Sequence, residues 1–260
     1  MKNKIFKPSI EFSKNSKIKS IDDYKKIYEN SILNKENFWN EKAKRIEWIQ
    51  KWDKTYNYDF TNGNIKWFEN GKLNVSYNCL DRHVNAGNGK KIAIIWEGNN
   101  PNEQKTFTYS ELLKEVKKFS NVLKNNGIRK GDRICLYLQM IPELPISMLA
   151  CARIGAIHSV VFGAFSSDSL RDRINDSNCK MLITQDFGVR GNKENIPMKE
   201  NADVALKKTK SIESVIVVKR TGSNVSMLSP RDKWWNKEMN LVSSHCPIET
   251  IDSEDPLFIL

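Results

Sequence analysis

The sequence predicts an α/β protein with a largely parallel sheet, preceded by an irregular, aromatic-rich segment. Beyond residue 90, short apolar runs alternate with amphipathic helical patterns, which is typical of right-handed βαβ units. The first ninety residues lack this regularity and concentrate aromatic side chains instead. A chain of 260 residues with 39% hydrophobic residues has ample material for a core. We therefore expect two parts, residues 1–90 and residues 91–260.

Two helices and a series of aromatic side chains are predicted in the first part. Ser20, followed by Asp22 and Asp23, is typical of a helix start. A second helix is expected to run from about Phe38 through Ile49. The aromatic residues that follow are Trp52, Tyr56, Tyr58, Phe60, Trp67 and Phe68. They suit either a platform for stacking nucleic-acid bases or anchors that hold an extended arm against the body, and the spacing favours anchors.

The elements of the second part follow from capping signals and apolar runs. The continuous apolar run from Ile92 to Trp96 is typical of a buried strand. Thr108 and Glu111 form a predicted capping box, which opens a helix that Gly127 closes. Further strands are predicted at residues 134–138, 157–162, 181–184 and 215–218, and further helices at residues 143–153, 167–175 and 197–207.

Two loops that follow predicted strands are the candidate ligand-binding segments. In open parallel sheets, ligands bind in the crevice outside the carboxyl ends of the strands. Residues 163–166 begin with Gly163, which lets a ligand approach the backbone closely, although a tight turn explains the same glycine. Residues 186–196 contain Arg190 and Lys193, whose charges suit a phosphate. A basic surface loop is the plainer interpretation of this second segment.

The remaining motifs predict turns and core residues. Residues 85–90 lack the glycine and Ser/Thr positions of a P-loop and predict a turn. Residues 220–223 are too short to cradle phosphates and are expected to end a strand. His158 stands among apolar neighbours and is predicted to be a hydrogen-bonded core residue, and Trp234 and Trp235 are predicted to pack. No histidine lies in a triad-like arrangement and no carboxylates are paired, so no catalytic or metal-ligating residue is predicted.

The charge distribution favours a solvated surface over a nucleic-acid interface. Forty-two Lys and Arg against 31 Asp and Glu give a net charge of +11. Residues 1–20 hold six lysines and one glutamate, whereas residues 241–260 hold four acidic residues and no lysine or arginine. Runs of lysine are usually solvated surface. A nucleic-acid-binding module built on the basic amino terminus and its aromatics is the alternative.

The cysteines and the apolar runs predict a cytoplasmic protein. Five cysteines are scattered without a C-x-x-C pair, which indicates a reducing compartment and no structural zinc. No run of eighteen apolar residues occurs, because Arg153 and His158 interrupt the nearest candidate, so no membrane span is expected. The lysine-rich start is a poor mitochondrial transit peptide because it contains Glu11 and no arginine.

Several of these stretches resemble the acetyl-coenzyme A synthetases, the AMP-forming acetate–CoA ligases of the adenylate-forming superfamily. The similar stretches are residues 71–83, 95–98, 148–156, 158–163, 188–190 and 255–260. Upstream, Tyr24, Tyr28 and residues 65–68 look like the amino-terminal extension of that family. The resemblance runs from about residue 12 to residue 260. It implies the α/β large domain of an adenylate-forming enzyme, incomplete in this chain.

The resemblance implies a two-step reaction and a set of CoA-binding residues. In the family, acetate and ATP form acetyl-adenylate and pyrophosphate on magnesium, and the CoA thiol then displaces AMP. The residues carried over are Arg190, Gly191, Asn192 and Lys193 for the phosphorylated nucleotide end of CoA, and Phe162, Gly163 and Ala164 beside the CoA adenine. Asn192 and Ala164 replace glycines that are usual in the family, which predicts an altered CoA affinity.

Other family features have no match in the chain. These are the phosphate loop, the acetate pocket, the adenine and ribose contacts, the magnesium site and the catalytic lysine of the carboxyl-terminal domain. The resemblance therefore implies acetate, ATP and CoA as substrates of a complete enzyme, with part of the CoA site in this chain. We expect these residues alone to be inactive. A truncated, non-catalytic paralogue that acts in binding or assembly is the alternative.

Overall fold

The computed structural model describes residues 6–260. The helices there are α1 (Ile10–Asn15), α2 (Ile21–Leu33), α3 (Lys35–Ala43), α4 (Tyr109–Asn125), α5 (Glu143–Arg153), α6 (Ser167–Ser177), α7 (Met198–Leu206) and α8 (Trp235–Asn240). The strands are β1 (Lys54–Asp59), β2 (Asn64–Glu69), β3 (Lys72–Leu73), β4 (Ile92–Glu97), β5 (Gln104–Thr108), β6 (Arg133–Leu138), β7 (Ile157–Phe162), β8 (Met181–Gln185), β9 (Gly188–Arg190), β10 (Lys193–Ile196), β11 (Ser214–Val218), β12 (Asp232–Trp234), β13 (Ile251–Asp252) and β14 (Phe258–Ile259). Two π-helical turns, Tyr77–Asp81 and Val84–Asn88, lie between β3 and β4.

Six strands form one parallel sheet in the order β12-β11-β8-β6-β7-β14. At its centre, Leu136 of β6 lies in register with Val160 of β7 and with Ile183 of β8. The chain passes from β6 to β7 on one side and then crosses to β8 on the other, so the direction of strand addition reverses at β6. The predicted α/β class with a largely parallel sheet is confirmed. The other four sheets are antiparallel strand pairs.

Helices cover both faces of the parallel sheet, because successive side chains of a strand point to opposite faces. On one face, Leu136 belongs to an apolar layer that includes residues of α4, α5 and α8. On the other face, Tyr137 belongs to a layer with α6 and α7. The rings of Phe119 and Trp235 stack with 3.8 Å between their centroids and join α4 to α8. The prediction that Trp235 packs is confirmed.

Most predicted elements of the second part agree with the structure to within one or two residues at their ends. The capping box is confirmed, because Thr108 Oγ1 accepts the Glu111 N–H at 3.3 Å and the Glu111 carboxylate accepts the Thr108 N–H at 2.8 Å. Gly127, just beyond α4, has a φ of 84°, a conformation that suits glycine. Ser20 also caps its helix, since its Oγ accepts the Asp23 N–H at 3.1 Å.

The strand predicted at Ile92–Trp96 exists as β4, but the prediction that it is fully buried is wrong. β4 forms a two-stranded antiparallel sheet with β5, apart from the parallel sheet. Ile92 and Ile95 are 57% and 73% exposed, whereas Ile94 and Trp96 pack against the core. The hairpin contacts the core on one face only, and a continuous apolar run does not reveal that difference.

Two predictions for the first part are also wrong in detail. The second helix ends at Ala43 and does not continue through Ile46 and Ile49. The Ala43 carbonyl accepts the Trp48 indole N–H at 3.0 Å and the Ile46 N–H at 3.3 Å. The Glu47 N–H, which a further helical turn would have bonded to that oxygen, donates instead to Asn78 Oδ1 at 2.7 Å. At Val84–Asn88 the chain forms a π-helical turn with Gly87 at a φ of 81°, where a simple turn was expected.

The aromatic side chains of the extension, which we define as residues 6–90, pack on one another. Trp48, Trp52 and Phe68 contact each other with centroid distances between 4.8 and 5.3 Å. Trp39 of α3 meets Trp67 of β2 edge-on at 5.8 Å. These ring contacts hold α3 and the β1–β2 hairpin together.

Buried polar contacts attach the extension to the remainder of the chain, residues 91–260, which we call the sheet domain. Arg153, at the end of α5, is 2% exposed, and its guanidinium donates to the two Asp81 carboxylate oxygens at 2.8 and 3.1 Å. Its Nε also donates to the Cys246 carbonyl at 2.8 Å. The buried amide of Asn74 donates to the Ala152 carbonyl at 3.0 Å. The junction therefore depends on a few well-paired buried groups.

His158 on β7 is buried, as predicted, but the expected hydrogen bonding is wrong for one nitrogen. Its Nδ1 has no hydrogen-bond partner among residues 6–260. Burial lowers the pKa of His158 to about 4 because the imidazolium would lose its hydration. The ring is therefore neutral at physiological pH.

Candidate functional site

A cavity of about 400 Å³ opens at the carboxyl ends of four adjacent strands of the parallel sheet. These strands are β11, β8, β6 and β7, which include the point where strand addition reverses. Ligands of open α/β sheets bind at this kind of crevice. The apolar lining includes Trp96, Leu138, Ile141, Leu144, Val160 and Phe162, and the charged lining includes Arg190 and Arg220.

One wall of the cavity is formed by Phe162, Gly163 and Ala164, as they leave β7. The Phe162 ring is 58% exposed and offers an apolar face to a ligand. A Cβ atom on Gly163 would lie 3.2 Å from the Leu138 carbonyl oxygen, so a side chain fits poorly there. Both properties suit a flat, partly apolar group lying close to the backbone.

The core of the sheet domain holds this wall in place. Tyr137 Oη donates to the Phe165 carbonyl at 2.8 Å, which ties the loop to the central strand. Burial raises the pKa of Tyr137, so its hydroxyl stays protonated and able to donate. Beyond the loop, Ser166 Oγ accepts the Ser169 N–H at 3.3 Å and caps α6.

The second predicted loop is a short hairpin made of β9 and β10, which the sequence analysis did not foresee. Arg190 on β9 is exposed and lines the cavity, whereas Gly191, Asn192 and Lys193 form an exposed tip outside its lining. The structure thus brings Arg190 together with residues 162–164 and leaves the three tip residues beside the opening. Among the side chains that the structure describes, none forms an ion pair or hydrogen bond with the Arg190 guanidinium.

A network of amide side chains holds the base of this hairpin. Gln139 Oε1 accepts the Val189 N–H at 2.8 Å, and a Cβ on Gly188 would approach Gln139 Cδ to 2.8 Å. The buried Gln185 accepts the Gln139 N–H at 2.9 Å and donates to the Phe187 carbonyl at 2.8 Å. Glycine at position 188 therefore permits the contact that places the neighbouring Arg190.

The structure adds Arg220 to the cavity, a residue that the sequence analysis assigned only to the end of a strand. It lies two residues beyond the end of β11, next to β8 in the sheet, and lines the same cavity as Arg190. Its Nη2 donates to Glu103 Oε2 at 2.7 Å, and a second bond joins Nη1 to Oε1. Its guanidinium also lies 5.3 Å from the centre of the Trp96 ring. A charged residue directly after an apolar strand is the signal that could have indicated its place.

Asp186 fixes the loop that carries Arg220. The Asp186 side chain is fully buried at the end of β8, and its carboxylate accepts the backbone N–H groups of Arg220 at 2.9 Å, Thr221 at 3.1 Å and Gly222 at 2.8 Å. Residues 220–223, a segment too short to surround a phosphate, therefore bind the Asp186 carboxylate of the same chain through their backbone.

Residues 6–260 contain neither a metal-ligating cluster nor a membrane-spanning helix. No group of three or more His, Cys, Asp or Glu side chains in that range is arranged to hold a metal ion. No helix in the same part of the chain is long and apolar enough to cross a bilayer.

A doubly wound parallel sheet with an arginine-lined cavity at its reversal point defines an α/β protein of the ligand-binding class. A family model described as "AMP-binding enzyme" matches residues 80–260, and a second, described as "Acetyl-coenzyme A synthetase N-terminus", matches residues 24–79. The chain therefore belongs to the AMP-binding enzyme family. The resemblance seen in the sequence is confirmed.

The similar curated proteins are acetyl-coenzyme A synthetases from bacteria. The chain is 56% identical to the "Acetyl-coenzyme A synthetase" of Rubrobacter xylanophilus, over 90% of this chain and 36% of that protein. It is 50% identical to the "Acetyl-coenzyme A synthetase" of Alkalilimnicola ehrlichii, and 49% to the "Acetyl-coenzyme A synthetase 2" of Pseudomonas aeruginosa, each over 92% of this chain and 37% of the relative. The chain thus spans little more than a third of the length of these relatives.

A solved structure shares the fold. The acetoacetyl-CoA synthetase from Streptomyces lividans superposes with a TM-score of 0.78 at 19% sequence identity, over 89% of this chain and 35% of that chain. At this identity the likeness concerns the fold alone. It agrees with an α/β domain of which the present chain covers a part.

Proposed function

We propose that the chain supplies part of the CoA-binding site of an AMP-forming acetate–CoA ligase. The observation that carries the proposal is the position of Arg190, exposed at the cavity with no partner among the described side chains. An unpaired guanidinium binds phosphate strongly because its N–H groups match two phosphate oxygens. The names of the relatives support an enzyme that produces acetyl-CoA.

The proposed ligand contacts are those that the resemblance to acetyl-coenzyme A synthetases implies, and the lining of the cavity is compatible with them. The adenine of CoA lies against the exposed Phe162 ring and the backbone at Gly163 and Ala164. Arg190 binds the phosphorylated nucleotide end, and Lys193 adds a positive charge from the hairpin tip. A cavity of about 400 Å³ lies within the usual range for small-molecule sites and holds part of a ligand as large as CoA.

The proposed overall reaction has two steps. Acetate attacks the α-phosphate of ATP and releases pyrophosphate, and the CoA thiol then attacks the acetyl-adenylate and releases AMP. When bound, magnesium would supply positive charge to the phosphates of ATP. We assign the ATP, acetate and magnesium contacts to the part of the relatives that this chain does not match. Residues 1–260 alone should therefore show no acetate-dependent exchange of pyrophosphate into ATP, and measurable exchange would contradict this assignment.

Calorimetric titration of CoA into the 260-residue chain tests the CoA site. Arg190→Ala should weaken CoA binding by about 10- to 150-fold, since one charge-assisted contact contributes about 1.5–3 kcal/mol. The variant should also lose most of the preference for CoA over 3′-dephospho-CoA, which lacks one phosphate. Arg45→Ala, which removes an exposed arginine of the extension, is the matched control and should bind as wild type. Equal CoA affinity for wild type and Arg190→Ala would overturn the proposal.

A further inference from the structure

The turn between β4 and β5 contacts the β9–β10 hairpin at Gly191 and also contacts Arg220. We call residues 98–103 the clasp turn. Gly98 and Asn99 line the cavity beside Arg190, while Glu103 reaches the Arg220 side. The turn lies outside residues 163–166 and 186–196, the two loops that the sequence predicts to bind a ligand. Its contacts show how the position of the β9–β10 hairpin is set.

Asn99 holds the tip of the β9–β10 hairpin through two hydrogen bonds to one residue. Its Oδ1 accepts the Gly191 N–H at 2.8 Å, and its Nδ2 donates to the Gly191 carbonyl oxygen at 2.8 Å. Gly191 has a φ of 56°, so the tip turns sharply directly after Arg190. A side-chain amide that pairs with both polar groups of one peptide residue fixes both position and orientation.

The opposite end of the clasp turn is fixed by the ion pair between Glu103 and Arg220. A bidentate pair of this kind has a defined geometry. Gly98 makes room for it, because a Cβ on Gly98 would overlap the Glu103 carboxylate. Arg220 is in turn held through its backbone by the buried Asp186. The Glu103 end of the clasp turn is therefore anchored, through Arg220, to the buried Asp186.

Hydrogen bonds within the clasp turn make it a rigid connection between these two ends. The Gly98 N–H donates to the Glu103 carbonyl at 2.7 Å, and the Glu103 N–H donates to the Asn100 carbonyl at 2.8 Å. The Gln104 side chain donates to the Pro101 carbonyl at 3.1 Å. Displacement of the Asn99 backbone would thus disturb the bonds on either side of it.

We propose that Asn99 is a positioning residue for CoA binding: it holds the hairpin tip so that Arg190 faces the cavity. The inference rests on the proposed CoA site. Gln139 fixes the base of the hairpin at Val189, and Asn99 fixes it at Gly191, so the Arg190 backbone is held on both sides. Without Asn99 the tip is free to move, and the guanidinium samples positions away from the phosphate.

The first test measures the clasp without any ligand. Amide hydrogen exchange at Gly191, followed by NMR on the ¹⁵N-labelled chain, should be about tenfold faster in Asn99→Ala, because the acceptor of that N–H is lost. Asn102→Ala removes an exposed asparagine of the same turn whose side chain makes none of these bonds, and it should leave the rate unchanged. Equal Gly191 exchange rates in wild type and Asn99→Ala would overturn the inference.

The second test is a double-mutant cycle on CoA affinity. Asn99→Ala should weaken CoA binding about three- to tenfold in the wild-type background and add no loss in the Arg190→Ala background, because it acts through Arg190. Asn102→Ala should bind CoA as wild type.

The outcomes separate the two proposals. If Arg190→Ala weakens CoA binding but Asn99→Ala does not, the CoA site stands and the positioning role is wrong. The positioning role is also wrong if Asn99→Ala costs as much affinity with Arg190→Ala as without it. If Arg190→Ala leaves the CoA affinity unchanged, the proposed function is wrong and the positioning role falls with it.

Discussion

The extension and the sheet domain are stabilised in different ways. In the sheet domain, strands such as β8 and β11 are buried along their whole length between two apolar layers. In the extension, α1 and α2 have no buried residue and β1 has one. Leu80 and Val84 join the apolar layer of the sheet domain, and ring contacts and a few buried polar pairs hold the rest of the extension. The buried apolar layers of the sheet domain therefore hold the cavity in place. The attachment of the extension depends largely on the buried polar contacts at the junction.

The largest expected effect is at the junction between the two regions. Arg153→Ala should lower the free energy of unfolding by about 3–5 kcal/mol, because it leaves the Asp81 carboxylate buried without its main partner. Urea denaturation followed by tryptophan fluorescence measures this loss. Arg171→Ala, which removes an arginine bonded to exposed aspartates on α6, should leave the free energy of unfolding nearly unchanged. Similar losses in both variants would show that the buried Arg153–Asp81 pair contributes no more to stability than an exposed ion pair.

The next effect concerns the sheet domain alone and depends on pH. His158 has a folded-state pKa of about 4, below its usual value, so the unfolded chain binds more protons between these values. The stability is complete above about pH 6.5 and falls as the pH drops towards 4. From about pH 7.5 to pH 4.5 the wild type should lose about 2–3 kcal/mol more than His158→Leu. Equal losses in the two proteins would show that His158 does not titrate in this way.

A smaller effect is expected at the start of the first helix of the sheet domain. Thr108→Ala removes the cap of α4 and should cost about 1 kcal/mol of unfolding free energy. Thr108→Ser keeps the hydroxyl and should retain most of the stability. Thermal unfolding of the three proteins side by side measures the difference. An alanine variant as stable as wild type would mean that burial of the α4 face alone fixes this helix.

The smallest effect is expected in the extension. Phe60 is 76% exposed at the end of the β1–β2 hairpin, so Phe60→Ala should change the unfolding free energy by less than about 0.5 kcal/mol. Ile65→Ala, on the other strand of the hairpin, serves as a half-exposed comparison and should behave similarly. Chemical denaturation of both variants beside the wild type measures these changes. A loss above about 1 kcal/mol at Phe60 would show that the exposed rings contribute more than their burial indicates.

The sequence predicted the sheet domain well because its signals are local. The Thr108 and Glu111 cap, the glycine at position 127 and the apolar run of β6 each act within a few residues. Ile92–Trp96 was misassigned because burial depends on which strand pairs with it, and that partner is chosen by tertiary contacts. α3 was predicted too long because the Glu47 N–H bonds to the Asn78 side chain in place of a helix carbonyl, a contact that periodicity does not encode.

The candidate site was predictable in part. Arg190 and residues 162–164 follow predicted strands, and the rule for strand ends indicated both segments. The structure shows that these residues line one cavity. Their role in CoA binding stays a prediction. The domain boundary at residue 90 also stays a prediction. Asn99 and Arg220 were missed because each acts through a partner more than ninety residues away in the chain.

The bonds to Asp186 have a consequence for selectivity. Three consecutive backbone N–H groups after β11 converge on one point, the arrangement by which proteins capture free anions. Here the chain has filled that receptor with its own carboxylate. An external anion therefore finds these three N–H groups already bonded to Asp186, so the turn after β11 adds no second anion site next to the cavity that Arg190 lines.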